Sequence, residues 1–228
     1  MKVTLVEPPA AQVELISWTG NAVSTIAKVT RTYEGVLSSD DSSFTYEASV
    51  LEQLQKTELQ GPLEMIHFVW LIKDVTRAFT HQLVRYRVGT SFAQESLRFS
   101  NKSAEAKVLC TLPAGYRGWE IYRLSIVHAL TAYSELISEG IPVEDARGLL
   151  PTNILTSIFF DCSLRTLIHI WAQRMCHQAQ VGEWQTVLQQ MKQLMPDSRL
   201  AELLTMPCQR GLPCTFASMW DRPCLYRR

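Results

Sequence analysis

The sequence predicts an α+β fold, on three observations. Segments with strand character and segments with helical periodicity are interleaved without the regular strand–helix–strand rhythm of a parallel sheet. The most apolar run, residues 66 to 72 (Ile-His-Phe-Val-Trp-Leu-Ile), is short and rich in branched and aromatic residues, as a strand buried on both faces reads. With 228 residues, 46% of them hydrophobic and 19% charged, the chain is long and apolar enough to close a substantial core. One domain is expected over residues 1–205, followed by a Cys-containing tail over residues 206–228.

The elements follow in order. Val3 and Leu5 alternate with polar neighbours like a short strand, which stops at Pro8-Pro9. Residues 22–33 place Val23, Ile26, Ala27 and Val29 near helical spacing. Residues 34–46, with Gly35 and the Ser/Asp run from Ser38 to Ser43, read as a loop, and a helix around 47–58 ends before Gly61-Pro62. After the apolar strand, Asp74 or Thr76 caps a helix reaching about residue 86. Residues 88–96 hold Gly89, Thr90 and Ser91 and read as a polar loop. Residues 118–138 form the clearest amphipathic helix, with Leu124, Val127, Ala129, Leu130 and Leu136 among its apolar positions, ended by Gly140-Ile141-Pro142. Ile154 to Phe160 is a second buried strand, and helices over 163–175 and 183–195 complete the pattern.

Charge narrows the chemistry. The 22 Lys+Arg balance 22 Asp+Glu, so no long-range cationic field gathers nucleic acid or an anionic membrane. Any anion must be held by locally clustered arginines. No run approaches the ~18 apolar residues of a membrane span, and the N-terminus lacks the apolar core of a signal peptide. Three of the six cysteines, Cys208, Cys214 and Cys224, lie in the tail, where they cannot all pair among themselves. These features predict a soluble, cytoplasmic protein. The irregular tail spacing, with no His near it, argues against a zinc site, and no metal is expected. Phosphate-loop, dinucleotide and hydrolase glycine motifs are all missing. His67 and His128 read as structural histidines, and Trp171 and Trp184 as helix-packing residues.

The densest polar constellation runs from Arg77 to Arg98. Arg77, His81 and Arg85 recur every four residues, the spacing of one helical stripe. Arg87 and Arg98 flank a Gly/Ser/Thr segment, and planar guanidinium groups suit a bidentate grip on phosphate. Gln94, Glu95 and Ser96 add donors and acceptors suited to a base edge or a ribose. A second cluster spans Glu144 to Pro151, and a third holds Arg165, His169 and Arg174.

Together these residues resemble the flavin-dependent thymidylate synthases. The segment from Arg77 to Arg87, then Ser96-Leu97-Arg98, is similar to their signature of Arg-His-Arg, seven residues and Ser. Ala146-Arg147 with Leu150-Pro151 resembles the second block of the family. Ser163-Leu164-Arg165 through Arg174 and Ala179-Gln180 resembles the third. The blocks keep their order from about residue 61 to residue 184. Tyr86 replaces the central His, eight residues separate Arg87 from Ser96, and Gln94 stands where Glu is usual. Ser163, His169 and Gln178 replace Asn, Asn and His.

The resemblance implies a central, mostly antiparallel sheet flanked by helices, in a homotetramer with active sites at subunit interfaces. It implies FAD as cofactor, deoxyuridine monophosphate (dUMP) as substrate, and methylenetetrahydrofolate and NADPH as co-substrates. Carried over residue by residue, Gln82, Arg85, Gln94, Glu95, Ser96, Arg98, Arg147 and Arg174 hold the nucleotide. Glu64, Arg85, Tyr86, Arg87, Val88, Ser163, Arg165, His169 and Gln178 contact the flavin, and Arg85 and Arg174 are the candidate catalytic residues. The implied reaction is methylation of dUMP to dTMP, with no role for a Cys nucleophile. Hydroxymethylation at the same carbon is the alternative within the class, and a non-catalytic nucleotide- or RNA-binding relative is the alternative outside it.

Overall fold

The computed structural model describes residues 2–37, 44–57, 60–112, 114–176, 179, 182–212 and 214. In chain order its elements are β1 (Lys2–Val6), β2 (Gln12–Trp18), α1 (Ala22–Tyr33), α2 (Phe44–Lys56), β3 (His67–Thr76) and α3 (Arg77–Leu83). Next come β4 (Thr90–Gln94), β5 (Glu105–Leu109), α4 (Trp119–Ser138), α5 (Val143–Ala146), β6 (Leu155–Ser163), α6 (Leu164–Arg174), α7 (Glu183–Gln193) and α8 (Ser198–Glu202).

The class is α+β, as expected. A four-stranded sheet has the order β2-β3-β6-β4, and β1 and β5 form a separate pair. Backbone bonds fix the strand directions. Leu164 N–H donates to the Ile66 carbonyl and Arg77 N–H to the Ile154 carbonyl, so β3 and β6 run antiparallel. Ser163 N–H to Gly89 and Glu95 N–H to Ser157 do the same for β4 and β6. The β1–β5 pair is parallel, in register from Lys2 opposite Glu105 to Val6 opposite Leu109.

Internal contacts divide the chain into two compact units, residues 1–12, 72–85 and 93–159 in the first, and 13–71, 86–92 and 160–228 in the second. In the first unit, α4 buries Ile126 and Leu130 among Leu97, Ala106, Val108 and Ile154, with Val3 and Leu5 packed against them. The helix ends on Gly140 at φ 83°, where Ile141 N–H reaches the Leu136 carbonyl. Leu124, expected in the core, is instead 43% exposed, because the buried line runs through Ile126, Leu130 and Tyr133. His128 is likewise exposed rather than internal.

In the second unit, α1 packs against α2 through a face that buries Val23, Ile26 and Ala27. Helix α6 packs against α7, burying Leu164, Leu167, Ile170 and Trp171 on one and Trp184, Val187 and Leu188 on the other. In β3, Phe68 and Trp70 are fully buried while His67, Val69 and Leu71 are half-buried. The strand is therefore one-faced rather than buried on both sides, and its polar position is filled by His67, whose Nδ1 lies 3.2 Å from Asp161. From the tail, Arg210 donates to the Gln55 carbonyl at 2.9 Å, and Cys208 and Cys214 are half-buried. Cys224 lies outside the described residues. Among those residues no helix is long and apolar enough to cross a membrane.

Two boundaries differ from expectation in the segment that matters most. Residues 88–96 are not all loop: Thr90–Gln94 is strand β4, in which Thr90, Phe92 and Gln94 are half-buried and Ser91 and Ala93 exposed. Phe92 stacks on Phe160 with ring centroids 5.5 Å apart, so one aromatic contact and a paired neighbour override a loop-like composition. Helix α3 ends at Leu83, which leaves Arg85 beyond its C-terminus and off the stripe of Arg77 and His81.

Candidate functional site

The first unit holds one group of predicted site residues. Thr76, not Asp74, caps α3, its hydroxyl accepting from Phe79 N–H at 3.0 Å, while Asp74 sits inside β3 at φ 54°. Arg77, the first helical residue, turns its guanidinium to the Glu95 carbonyl at 3.0 Å. Burial draws the guanidinium below its ordinary value, opposed by the Glu95 charge, with the Arg147 charge adding to the lowering. Gln94 donates its amide to the Thr80 hydroxyl at 2.7 Å, and Thr80 passes that hydrogen bond to the Arg77 carbonyl at 3.1 Å. The end of β4 is thereby tied to α3.

Glu95 is a hub. One carboxylate oxygen accepts from Ser100 and from the Lys102 ammonium, the other from Thr156 at 3.1 Å. Burial pushes the carboxyl up, but the hydrogen bonds from Lys102 and Ser100 outweigh it, and the net shift is below the ordinary carboxylate range. Both oxygens of a residue predicted to touch the nucleotide are thus engaged inside the unit. Ser96 accepts from Arg98 N–H at 3.3 Å. Arg98 in turn pairs with Glu144 of α5 at 2.7 Å, where both side chains are half-exposed. Arg147 donates to the Glu144 carbonyl at 3.0 Å and is exposed. Gln82 is half-buried on α3, and Arg85 is exposed.

The second unit holds the other group. Tyr86 takes the centre of the signature: its hydroxyl donates to Gln173 at 2.9 Å and accepts from Arg174 Nε at 2.8 Å. The Tyr86 ring meets His169 and Trp184 edge-on, each with centroids 6.1 Å apart. The Arg174 guanidinium lies 4.6 Å above the Trp184 ring. Arg87 and Val88 are exposed, Val88 by 79%.

Gly89 explains the local backbone. It stands at φ 63°, and an added Cβ would come within 2.8 Å of both Ser163 Oγ and Thr166 Oγ1. Thr166 Oγ1 donates to the Val88 carbonyl at 2.8 Å, and Ser163, only 1% exposed, caps α6 through Thr166 N–H at 3.2 Å. The Ser163 N–H, which donates to the Gly89 carbonyl at 2.9 Å, and the Thr166 hydroxyl therefore hold the Val88–Gly89 segment together. Arg165 pairs with Glu64, and both are half-exposed. His169 Nε2 lies 3.0 Å from the Gln173 amide nitrogen. Gln178 lies outside the described residues. Sequence reasoning missed Lys102, Ser100, Thr156 and Gln173, whose partners are 5 to 87 residues away in the chain, and none of which carries a motif of its own.

The three sequence blocks thus meet in pairs. The first touches the second through Arg98 and Glu144, and the third through Tyr86 and Arg174 and through Val88 and Thr166. Among the described residues, Arg85 and Arg87 have no ion pair. The chemistry on offer is anion binding by guanidinium groups beside aromatic rings.

Comparison with known proteins points the same way. The family model of the thymidylate synthase complementing protein matches residues 14–197. A flavin-dependent thymidylate synthase of Geobacter sulfurreducens is 32% identical over 133 residues, 57% of this chain and 57% of that protein. One of Sulfurisphaera tokodaii is 35% identical over 119 residues, covering 52% and 46% of the two. The chain thus spans about half the length of these curated relatives, whereas the match to one of Clostridium tetani, at 27% identity, covers 74% of this chain and 76% of that one. Among solved structures, the UMP/dUMP methylase PolB from Streptomyces cacaoi, bound with 5-Br dUMP, shares the fold. The TM-score is 0.70 at 20% identity, over 88% of this chain and 96% of that one.

Proposed function

The chain belongs to the thymidylate synthase complementing protein family, and from that premise we propose that it methylates C5 of dUMP in a flavin-dependent reaction. The observation that carries the reading is the contact between Tyr86 and Arg174, 88 residues apart, which brings the first and third blocks together. A nucleotide-bound relative of the same fold, the UMP/dUMP methylase, supports the substrate class.

In this reading Arg85, Arg98, Arg147 and Arg174 neutralise the nucleotide phosphate and the negative charge that grows on the pyrimidine as it is activated. Gln82, Gln94, Glu95 and Ser96 complete the nucleotide side, Glu95 chiefly by fixing the segment that bears Ser96 and Arg98. Arg85 and Arg174 are the groups assigned to the reacting ring. The residues present also fit a flavin. Exposed Arg87 and half-exposed Arg165 suit its diphosphate, and exposed Val88 and His169 offer an apolar contact and a ring edge. Glu64, Tyr86 and Ser163 fix these groups in place, and Gln178 joins them by sequence position. FAD would relay a hydride from NADPH while methylenetetrahydrofolate supplies the carbon, so the chain's own task is to bind, orient and polarise. The assembly in this reading is a cytoplasmic homotetramer whose sites lie at subunit interfaces, which light scattering on the purified protein checks.

The direct test combines a spectrum with a tritium assay. The FAD-loaded protein should change its visible absorption when dUMP is added, and should release tritium from 5-tritiated dUMP in the presence of the folate and NADPH. Arg174→Ala should weaken dUMP binding roughly 10- to 100-fold, the worth of a charge-assisted hydrogen bond of about 1.5–3 kcal/mol. A protein that ignores FAD, or an Arg174→Ala variant with undiminished dUMP affinity, would overturn the reading. Mass spectrometry of the product separates methyl from hydroxymethyl.

A further inference from the structure

We infer that Tyr86 is a positioning residue for Arg174, with its phenol hydroxyl setting the orientation of the guanidinium that grips the nucleotide. The inference rests on the functional reading above and adds a residue whose role is to hold another.

A tyrosine hydroxyl has one hydrogen and two lone pairs. Here the hydrogen goes to Gln173 Oε1 at 2.9 Å, so a lone pair faces Arg174 Nε at 2.8 Å. Gln173 presents that oxygen because its amide nitrogen is turned to His169 Nε2 at 3.0 Å. The hydroxyl is thus oriented by two further side chains of the third block. Arg174 is fixed at its other surfaces as well. Its guanidinium stacks 4.6 Å above Trp184, which is 3% exposed, and 5.6 Å from the Tyr86 ring centroid. Its backbone carbonyl, at the last turn of α6, accepts from Gln185 Nε2 at 2.8 Å, and Gln185 Oε1 accepts from Gly182 N–H at 2.6 Å.

The consequence is geometric. A guanidinium is planar and its donors form a rigid fork. Once Nε is committed to Tyr86 and one face to Trp184, the direction of the two Nη groups follows. An arginine side chain otherwise loses considerable rotamer freedom when it closes on an anion. Tyr86 removes part of that loss before the ligand arrives. An imidazole at position 86 ends short of the phenol oxygen, so the His of the family signature could not make this bond from the same backbone.

The test is a double-mutant cycle on the full-length protein saturated with FAD, titrating dUMP by calorimetry and measuring steady-state KM and kcat. Tyr86→Phe keeps the ring and deletes the hydroxyl. It should raise the dUMP Kd and KM roughly tenfold, the worth of one hydrogen bond to a charged group, with a smaller change in kcat and an unchanged flavin spectrum and melting temperature. In an Arg174→Ala background the same substitution should add nothing, since its partner is gone. If Arg174→Ala does not fold, Arg174→Lys, which lacks the Nε–H donor, takes its place. Tyr86→His should behave as Tyr86→Phe does. Unchanged dUMP affinity in Tyr86→Phe, or a penalty that persists without Arg174, would overturn the positioning role while leaving the proposed function standing. A loss of FAD affinity with dUMP affinity intact would make Tyr86 a flavin contact instead. A wild-type protein that binds no dUMP would overturn the functional reading, and this inference with it.

Discussion

Arg98 in the first unit and Arg174 in the second are held by different means, although Arg165 of the second unit also takes a carboxylate, that of Glu64. In the first, Arg77 and Arg98 are held by oxygen acceptors: the Glu95 carbonyl, and the Glu144 carboxylate. Order there radiates from a partly buried carboxylate, Glu95, with Lys102, Ser100 and Thr156 around it. In the second unit, Arg174 is held by a phenol hydroxyl and by the faces of Trp184 and Tyr86. A carboxylate partner neutralises the charge it positions, so in the proposed reading Arg98 exchanges Glu144 for an incoming phosphate. An aromatic partner positions the guanidinium with only a weak electrostatic claim on it.

Four changes sharpen or break that contrast. The largest effect on the fold should come from Glu95→Ala, which strips the hub from Lys102, Ser100 and Thr156. A loss of about 2–3 kcal/mol in chemical denaturation is expected, because the half-buried ammonium is left unpaired. A loss below about 0.5 kcal/mol would show that the hub does not organise the unit. Next is Gly89→Ala in the second unit, where the new Cβ meets Ser163 and Thr166 at a positive φ. About 1–2 kcal/mol of destabilisation is expected, together with a weakened hold on FAD, read from the flavin fluorescence titration.

The third is a pH effect of known sign. The Glu95 carboxyl is held below its ordinary value of 4.5 in the folded protein, so it binds its proton less readily there than in the unfolded chain. Its stabilisation is present at neutral pH and is lost as pH falls below about 4.5 through the lowered value. The denaturation midpoint of the wild type should therefore fall more steeply over that range than that of Glu95→Gln. Parallel curves would assign the acid sensitivity to other groups. The smallest effect belongs to Glu144→Ala. Its pair with Arg98 is half-exposed, so stability should change by no more than about 0.5 kcal/mol, while dUMP affinity holds or rises as Arg98 is released. A marked loss of dUMP affinity would show that the pair positions Arg98 rather than competing for it.

Much of this was legible in the residues. The helix at 22–33 and the one at 118–138 are where apolar spacing places them, within a residue. The strand at Ile66 was visible from its branched and aromatic content, although its half-buried face was not. Strands β2 and β5 were missed although turn residues flank both, Pro8-Pro9 and Gly20-Asn21 about the first and Asn101 and Gly115 about the second. Strand β4 was hidden because Gly89, Thr90 and Ser91 resemble a loop until Phe160 and the backbone of β6 give the segment partners. For the site, the arginines announced themselves by type and spacing, but Lys102, Thr156 and Gln173 did not.

The sequence alone determined the family, the order of the three blocks and the residue types able to bind an anion, because those depend on local spacing and on side-chain chemistry. Only the tertiary structure decided which arginine takes a carboxylate and which an aromatic cradle, and that Tyr86 reaches Arg174 across 88 residues. Those pairings depend on how strands and helices distant in sequence are packed together, and no local pattern along the chain encodes a distance between them.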